Sequence, residues 1–146
     1  MPRAKEFTVA IADRPGELGK CFTALASGGV NILAFQSYVE ERESLVRFVP
    51  DDATAAQRVL AEAHMIFEQT DVAVMRVSHA PGALGQAAAH LGEGKINIDY
   101  SYFGMEPESN AALLVFGVDS VTRGVALLDE LARKSERQHT AEASKV

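Results

Sequence analysis

Long apolar runs, paired cysteines and clustered positive charge are all missing from this sequence. No stretch of about 18 apolar residues occurs, so no segment reads as a membrane-spanning helix. The single cysteine, Cys21, has no partner for an internal disulfide, which fits a reducing compartment. Lys and Arg never cluster among aromatics, and the formal net charge is -6, so electrostatics oppose wrapping onto a phosphate backbone. Neither nucleic acid nor membrane is expected as a partner. His64, His79, His90 and His139 lack metal-ligand spacing, so no metal is expected. No glycine loop cradles a phosphate, no nucleophile sits beside an evident base, and no cofactor motif appears. The start, Met1 to Glu6, carries positive charge but leads into Phe7–Ala12, which Asp13 and Arg14 cut short of a secretory core. A cytoplasmic location is the expectation.

What is present is a repeat. The chain has 146 residues, 47% of them hydrophobic, enough for one compact domain or two very small ones. The segment Asp13–Ile32 aligns without a gap on His79–Ile98, 66 residues further on. Pro15 meets Pro81, Gly16 meets Gly82, Leu18 meets Leu84 and Gly19 meets Gly85. Leu25, Gly28, Asn31 and Ile32 then meet Leu91, Gly94, Asn97 and Ile98. Such a register points to two copies of one unit, with boundaries at 1–69 and 70–146.

Each copy reads in the same order. Phe7, Val9 and Ile11 alternate as a half-buried strand that ends at Asp13. Pro15-Gly16 is a turn, since Pro presets φ and Gly accepts φ > 0. A helix starts near Glu17 with Leu18, Cys21, Phe22, Leu25 and Ala26 on one stripe, and Gly28-Gly29 stops it. Val30–Val39 is a strand, 40–43 a polar hairpin and Ser44–Val49 a third strand. Asp51 or Asp52 caps a helix with Ala56, Val59, Leu60 and Ala63 inward, and Met65–Gln69 closes the copy. In the second copy Val72–Val77 is a strand, Leu84, Ala87, Ala88 and Leu91 mark a helix, and Lys95–Phe103 is a strand. A loop over 104–110 leads to Ala111–Val118. Asp119 or Ser120 then caps a helix with Val121, Gly124, Val125, Leu128, Leu131 and Ala132 on one face. From about 135 a polar tail is expected, with no final strand legible. The order gives an α+β fold of two ferredoxin-like βαββαβ units side by side, their sheets antiparallel with helices on one face. One sheet extended across both units would hide the edges.

The run Asp13-Arg14-Pro15-Gly16-Glu17-Leu18, followed by Gly29-Val30-Asn31-Ile32, resembles the ACT family of amino-acid-binding regulatory domains. The junction Thr70–Val74 and Asn97-Ile98-Asp99-Tyr100 are similar to what stand-alone tandem ACT proteins carry, and the likeness runs from about Phe7 to Ala132. The resemblance implies a regulatory, allosteric protein, not an enzyme, with a small ligand at ACT–ACT interfaces. It also implies a homo-oligomer, with a dimer expected, and a regulated enzyme or transporter as partner. The implied ligand residues are Asp13, Arg14, Pro15, Gly16, Glu17, Leu18, Asn31 and Ile32. Their second-copy counterparts are His79, Ala80, Pro81, Gly82, Ala83, Leu84, Asn97 and Ile98.

The chemistry suits a free amino acid. A helix N-terminus offers backbone N–H groups and a positive dipole to a carboxylate, the dipole being worth roughly 0.3 to 1 kcal/mol. Asn31 and Asn97 amides can donate and accept, and Asp13 can pair with an ammonium. Micromolar affinity needs about -8.2 kcal/mol. Over roughly nine ligand atoms this is below the ceiling of about -1.5 kcal/mol each, a value that calls for an enclosed cleft. Each residue also has a purely structural reading. Pro-Gly serves the turn itself, Asn31 and Asn97 can bond local backbone, Asp13 can cap, Cys21 lies on an apolar stripe, and Tyr100 and Tyr102 can pack in a core or interface. The second copy places His79 where the first has Asp13, which removes a permanent negative charge. Two other functions use the same residues: a small ferredoxin-like α+β enzyme, or a structural subunit that has lost its ligand.

Overall fold

The computed structural model describes residues 2–107, 109 and 111–145. In chain order the elements are β1 (Arg3–Ala12), α1 (Glu17–Ser27), β2 (Ile32–Glu40), β3 (Glu43–Pro50), α2 (Ala53–Glu62) and β4 (Ile66–Ser78). They continue with α3 (Ala83–Glu93), β5 (Ile98–Met105), β6 (Ala111–Val118) and α4 (Val121–Ala143). The fold is α+β, with all pairings antiparallel.

The strands close into a barrel in the order β1-β3-β2-β5-β6-β4, which replaces the expected pair of sheets lying side by side. The closure follows from β4. Met65–Gln69 and Val72–Val77, read as separate strands, are one strand of 13 residues. Nothing at Thr70-Asp71 forces a turn, and Asp71 is held across the ladder by Arg3 at 2.9 Å and Lys5 at 2.6 Å. One end of β4 pairs with β1 and the other with β6, so a single strand serves both sides. The presumed boundary at 69/70 lies inside it.

Alternation along the strands then separates three cores. Phe7, Val9, Val46 and Phe48 face α1 and α2 with Cys21, Leu25 and Leu60. Ala73, Met75, Leu114 and Phe116 face α3 and α4 with Leu91 and Leu128. Ala34, Val49, Val72, Val74, Leu113 and Val115 point the other way and fill the barrel.

Several boundaries differ from the sequence reading, each for a local reason. Strand pairing begins at Ile32 and Ile98, because Val30 and Ile96 drop into the helix-covered cores first. Asp52 caps α2 by accepting from the Ala55 N–H at 3.0 Å, while Asp51 turns away to another backbone. Ser120 holds the N-cap position of α4 without a side-chain bond. Ala63 is exposed, since α2 has ended at Glu62, and Ala26 is exposed on the outer flank of α1. Glu41 and Arg42 both take positive φ, 49° and 69°, in a two-residue hairpin that matches strand twist. In the loop after β5, Glu108 and Asn110 lie outside the described residues, as do Met1 and Val146.

The largest correction concerns the C-terminus. The polar tail is helix: α4 runs 23 residues, to Ala143. Leu131 is its last buried residue, and Arg133–Asp129 at 3.0 Å and Lys134–Glu130 at 3.3 Å bond at i,i+4 spacing along it.

Candidate functional site

Both Pro-Gly turns adopt one geometry. Gly16 precedes α1 with φ 89° and ψ -16°, and Gly82 precedes α3 with φ 90° and ψ -15°. A Cβ at either would meet nothing within 4 Å, so glycine is required here by dihedral and not by crowding. No side chain caps either helix. The turns are closed by Glu17 N–H to Arg14 O at 3.3 Å and Ala83 N–H to Ala80 O at 3.3 Å. First-turn amides are thus presented without a side-chain acceptor, the arrangement a carboxylate ligand uses.

The surroundings of the bends differ. Asp13, Arg14, Pro15 and Gly16 are exposed, with Glu17 and Leu18 half-buried behind them. Glu17 Oε1 takes ion pairs from Arg14 at 3.5 Å and Lys20 at 3.3 Å. No ion pair or side-chain hydrogen bond involves Asp13 among the described residues. At the second bend Ala80, Pro81 and Gly82 are equally exposed, and with Ala83 they line an open groove of about 990 Å³. Its floor includes Met75, Val77 and Leu131, and its far wall is the extended part of α4, with Ser135, Glu136, Gln138, His139 and Thr140. His79 and Leu84 flank this bend. The His79 ring lies 6.4 Å from that of Phe103, and Leu84 is 50% exposed where its counterpart Leu18 packs on the first core.

Asn31 and Asn97 do not join the bends of their own halves. Each lies past the far end of an 11-residue helix, about 16 Å away at 1.5 Å per residue. The Asn31 N–H donates to Asp51 Oδ1 at 2.9 Å, and the Asp51 N–H returns a bond to Asn31 O at 2.9 Å. Asn97 and Asp119 repeat the exchange at 3.2 Å in both directions. The Asn97 amide also donates to Asp99 Oδ1 at 2.9 Å. Ile32 and Ile98 are half-buried against the two helix-covered cores. Because β2 runs antiparallel to β5, with Ala34 opposite Gly104, Asn31 shares an end of the barrel with the second bend. Asn97 shares the other end with the first.

Sequence reasoning missed Gln86, Glu136, Gln138 and His139 as groove residues, and it missed Glu6. Glu6 is fully buried inside the barrel, where it accepts from Tyr100 and Tyr102. Its one signal is its place on the β1 face opposite Phe7 and Val9. Cys21 is buried, and burial pushes its thiol up to about 11, as befits a core group. No cluster of three His, Cys, Asp or Glu suited to a metal occurs among the described residues.

No family model and no curated protein matches the chain. Solved structures do. A protein from Bacteroides thetaiotaomicron superposes with a TM-score of 0.78 at 22% identity, covering 90% of each chain. The regulatory subunit of aspartate kinase from Thermus thermophilus gives 0.60 at 16% identity, covering 88% of this chain and 91% of that one. Its counterpart from Thermus flavus gives 0.57 at 18%, covering 89% and 92%. The fold is ACT-like. No helix among the described residues is long and apolar enough to cross a membrane.

Proposed function

We propose that this chain is a non-catalytic regulatory protein, a duplicated ACT unit that binds a free amino acid and passes its occupancy to a partner enzyme or transporter. One observation carries the reading: the uncapped N-terminus of α3 opens into a groove that α4 walls off. Carboxylate against the amides at Gly82, Leu84 and Gly85 fits one end of such a ligand, the Ala83 N–H being engaged in the turn. Glu136 on the opposite wall offers its ammonium the negative charge that His79 does not. The first bend supplies Asp13 and Arg14 but stands in solvent within a single chain, so a second copy completes it, which favours a homodimer. The shared fold with regulatory subunits of aspartate kinase supports a regulatory role over a catalytic one.

A thermal-shift screen of the common amino acids tests this. At a hundredfold excess over Kd, ligand binding adds about 2.7 kcal/mol, or roughly 5 to 11 °C for a chain of this length. One chemically related group of responders is the expected outcome. Silence across all of them would favour a structural subunit.

A further inference from the structure

The barrel is closed unevenly. β4 pairs with β1 along Ile66–Ala73 and with β6 along Ala73–Ser78, eight residue pairs at one end and six at the other. Opposite it, β2 meets β5 through the single pair Ala34 and Gly104. The backbones touch there. A Cβ on Gly104 would collide with the Leu33 carbonyl oxygen and with the Ala34 Cα and Cβ. With so short a ladder, closure of this seam falls to side chains.

Those side chains form one cluster. Glu6 of β1 is 0% exposed. Its Oε1 accepts from the Tyr100 hydroxyl at 2.5 Å and its Oε2 from the Tyr102 hydroxyl at 2.7 Å. The Arg47 guanidinium of β3 lies 3.9 Å over the Tyr100 ring and 5.2 Å from the ring of Tyr38 on β2. Burial and the Glu6 carboxylate hold both β5 hydroxyls well above the usual phenol range, so both remain donors. Three strands on one side are thereby tied to β5 on the other. One carboxylate and one guanidinium offset each other within the cluster.

We propose that the β2–β5 seam is the moving edge of the barrel, hinged on β4 and latched by Glu6, Tyr100, Tyr102 and Arg47. The outer side of the seam carries Phe35 and Phe103, 49% and 57% exposed. Each meets the element beside it. Phe35 meets Phe22 of α1 with ring centroids 5.1 Å apart, and Phe103 lies beside His79 of the second bend. The latch itself goes beyond the ligand reading and stands or falls without it.

Hydrogen exchange on the full chain, with no ligand added, tests it in Glu6→Gln and Tyr102→Phe. Losing one charged hydrogen bond should speed amide exchange in β2 (32–40) and β5 (98–105) by about tenfold, with β4 (66–78) unchanged. Tyr102→Phe keeps the ring and removes one hydroxyl, so it decides the matter if Glu6→Gln fails to fold. Unchanged exchange at β2 and β5, or an equal rise at β4, would overturn the latch. Because ligand is absent throughout, either result leaves the amino-acid screen independent.

Discussion

Gly16 and Gly82 share their dihedrals to within a degree and both bends are exposed, yet one stands among charges and the other borders a groove. The divergence arises past the second helix of each half. After α2 stops at Glu62 the chain turns straight into β4, whereas α4 continues past its last buried residue and becomes a wall. Two bends of one geometry can thus face different surroundings, one with a helix extension across from it and one without. The two bends therefore differ in what lies across from them and not in turn geometry.

The largest effect expected from breaking this contrast is on ligand response. A chain ending at Lys134 keeps every buried residue of α4 but loses the wall, so the thermal shift of roughly 5 to 11 °C should vanish at the second bend while the unliganded fold persists. Circular dichroism with the amino-acid screen checks both halves of that statement. A smaller and more discriminating effect is expected from alanine at each glycine. Left-handed φ costs a non-glycine residue about 1 to 2 kcal/mol, so Gly16→Ala and Gly82→Ala should lower Tm alike, by roughly 2 to 8 °C. Only Gly82→Ala should also weaken the ligand shift in a monomeric preparation.

How much of this was legible in the sequence depended on whether the cause was local. The bends, the helix starts and the stripes through Leu25 and Leu91 depend on neighbours within a few residues, so alternation and glycine placement revealed them. The barrel did not show, because closure pairs β4 with β6 and β2 with β5, and nothing at Ala34 or Gly104 announces a partner about 70 residues away. The α4 extension was illegible for another reason. Ser135–Ala143 buries nothing, so it lacks the apolar period that marks a helix, and the pairs leading into it are charge pairs. Glu6 was read only as part of the charged start, and an acid is rarely fully buried. Its place on the β1 face opposite Phe7 and Val9 was the one hint.

Two finer contrasts remain between the halves. Asp51 and Asp119 each accept from an asparagine N–H, at 2.9 Å and 3.2 Å. Replacing either by Ala should cost about 1 kcal/mol, with Asp51→Ala the larger loss by urea denaturation. The smallest effect concerns Asp71, where β4 passes from one half to the other. The Lys5 hydrogen bond, with Arg3 beside it, holds this carboxyl below its ordinary value of 3.8. A depressed folded pKa stabilises above the unfolded value and is lost as pH falls through the folded one. Stability should therefore drop below about pH 4 in the native chain, and Asp71→Asn should flatten that acid limb.

Amide chemical shifts of the isotopically labelled chain, recorded with and without a responding amino acid, bear most directly on ligand binding at the second bend. Movement at Ala83, Leu84 and Gly85 together with Ser135–Thr140 on α4 is the expected result. A titration that leaves those amides in place, or moves only residues away from the groove, would contradict it.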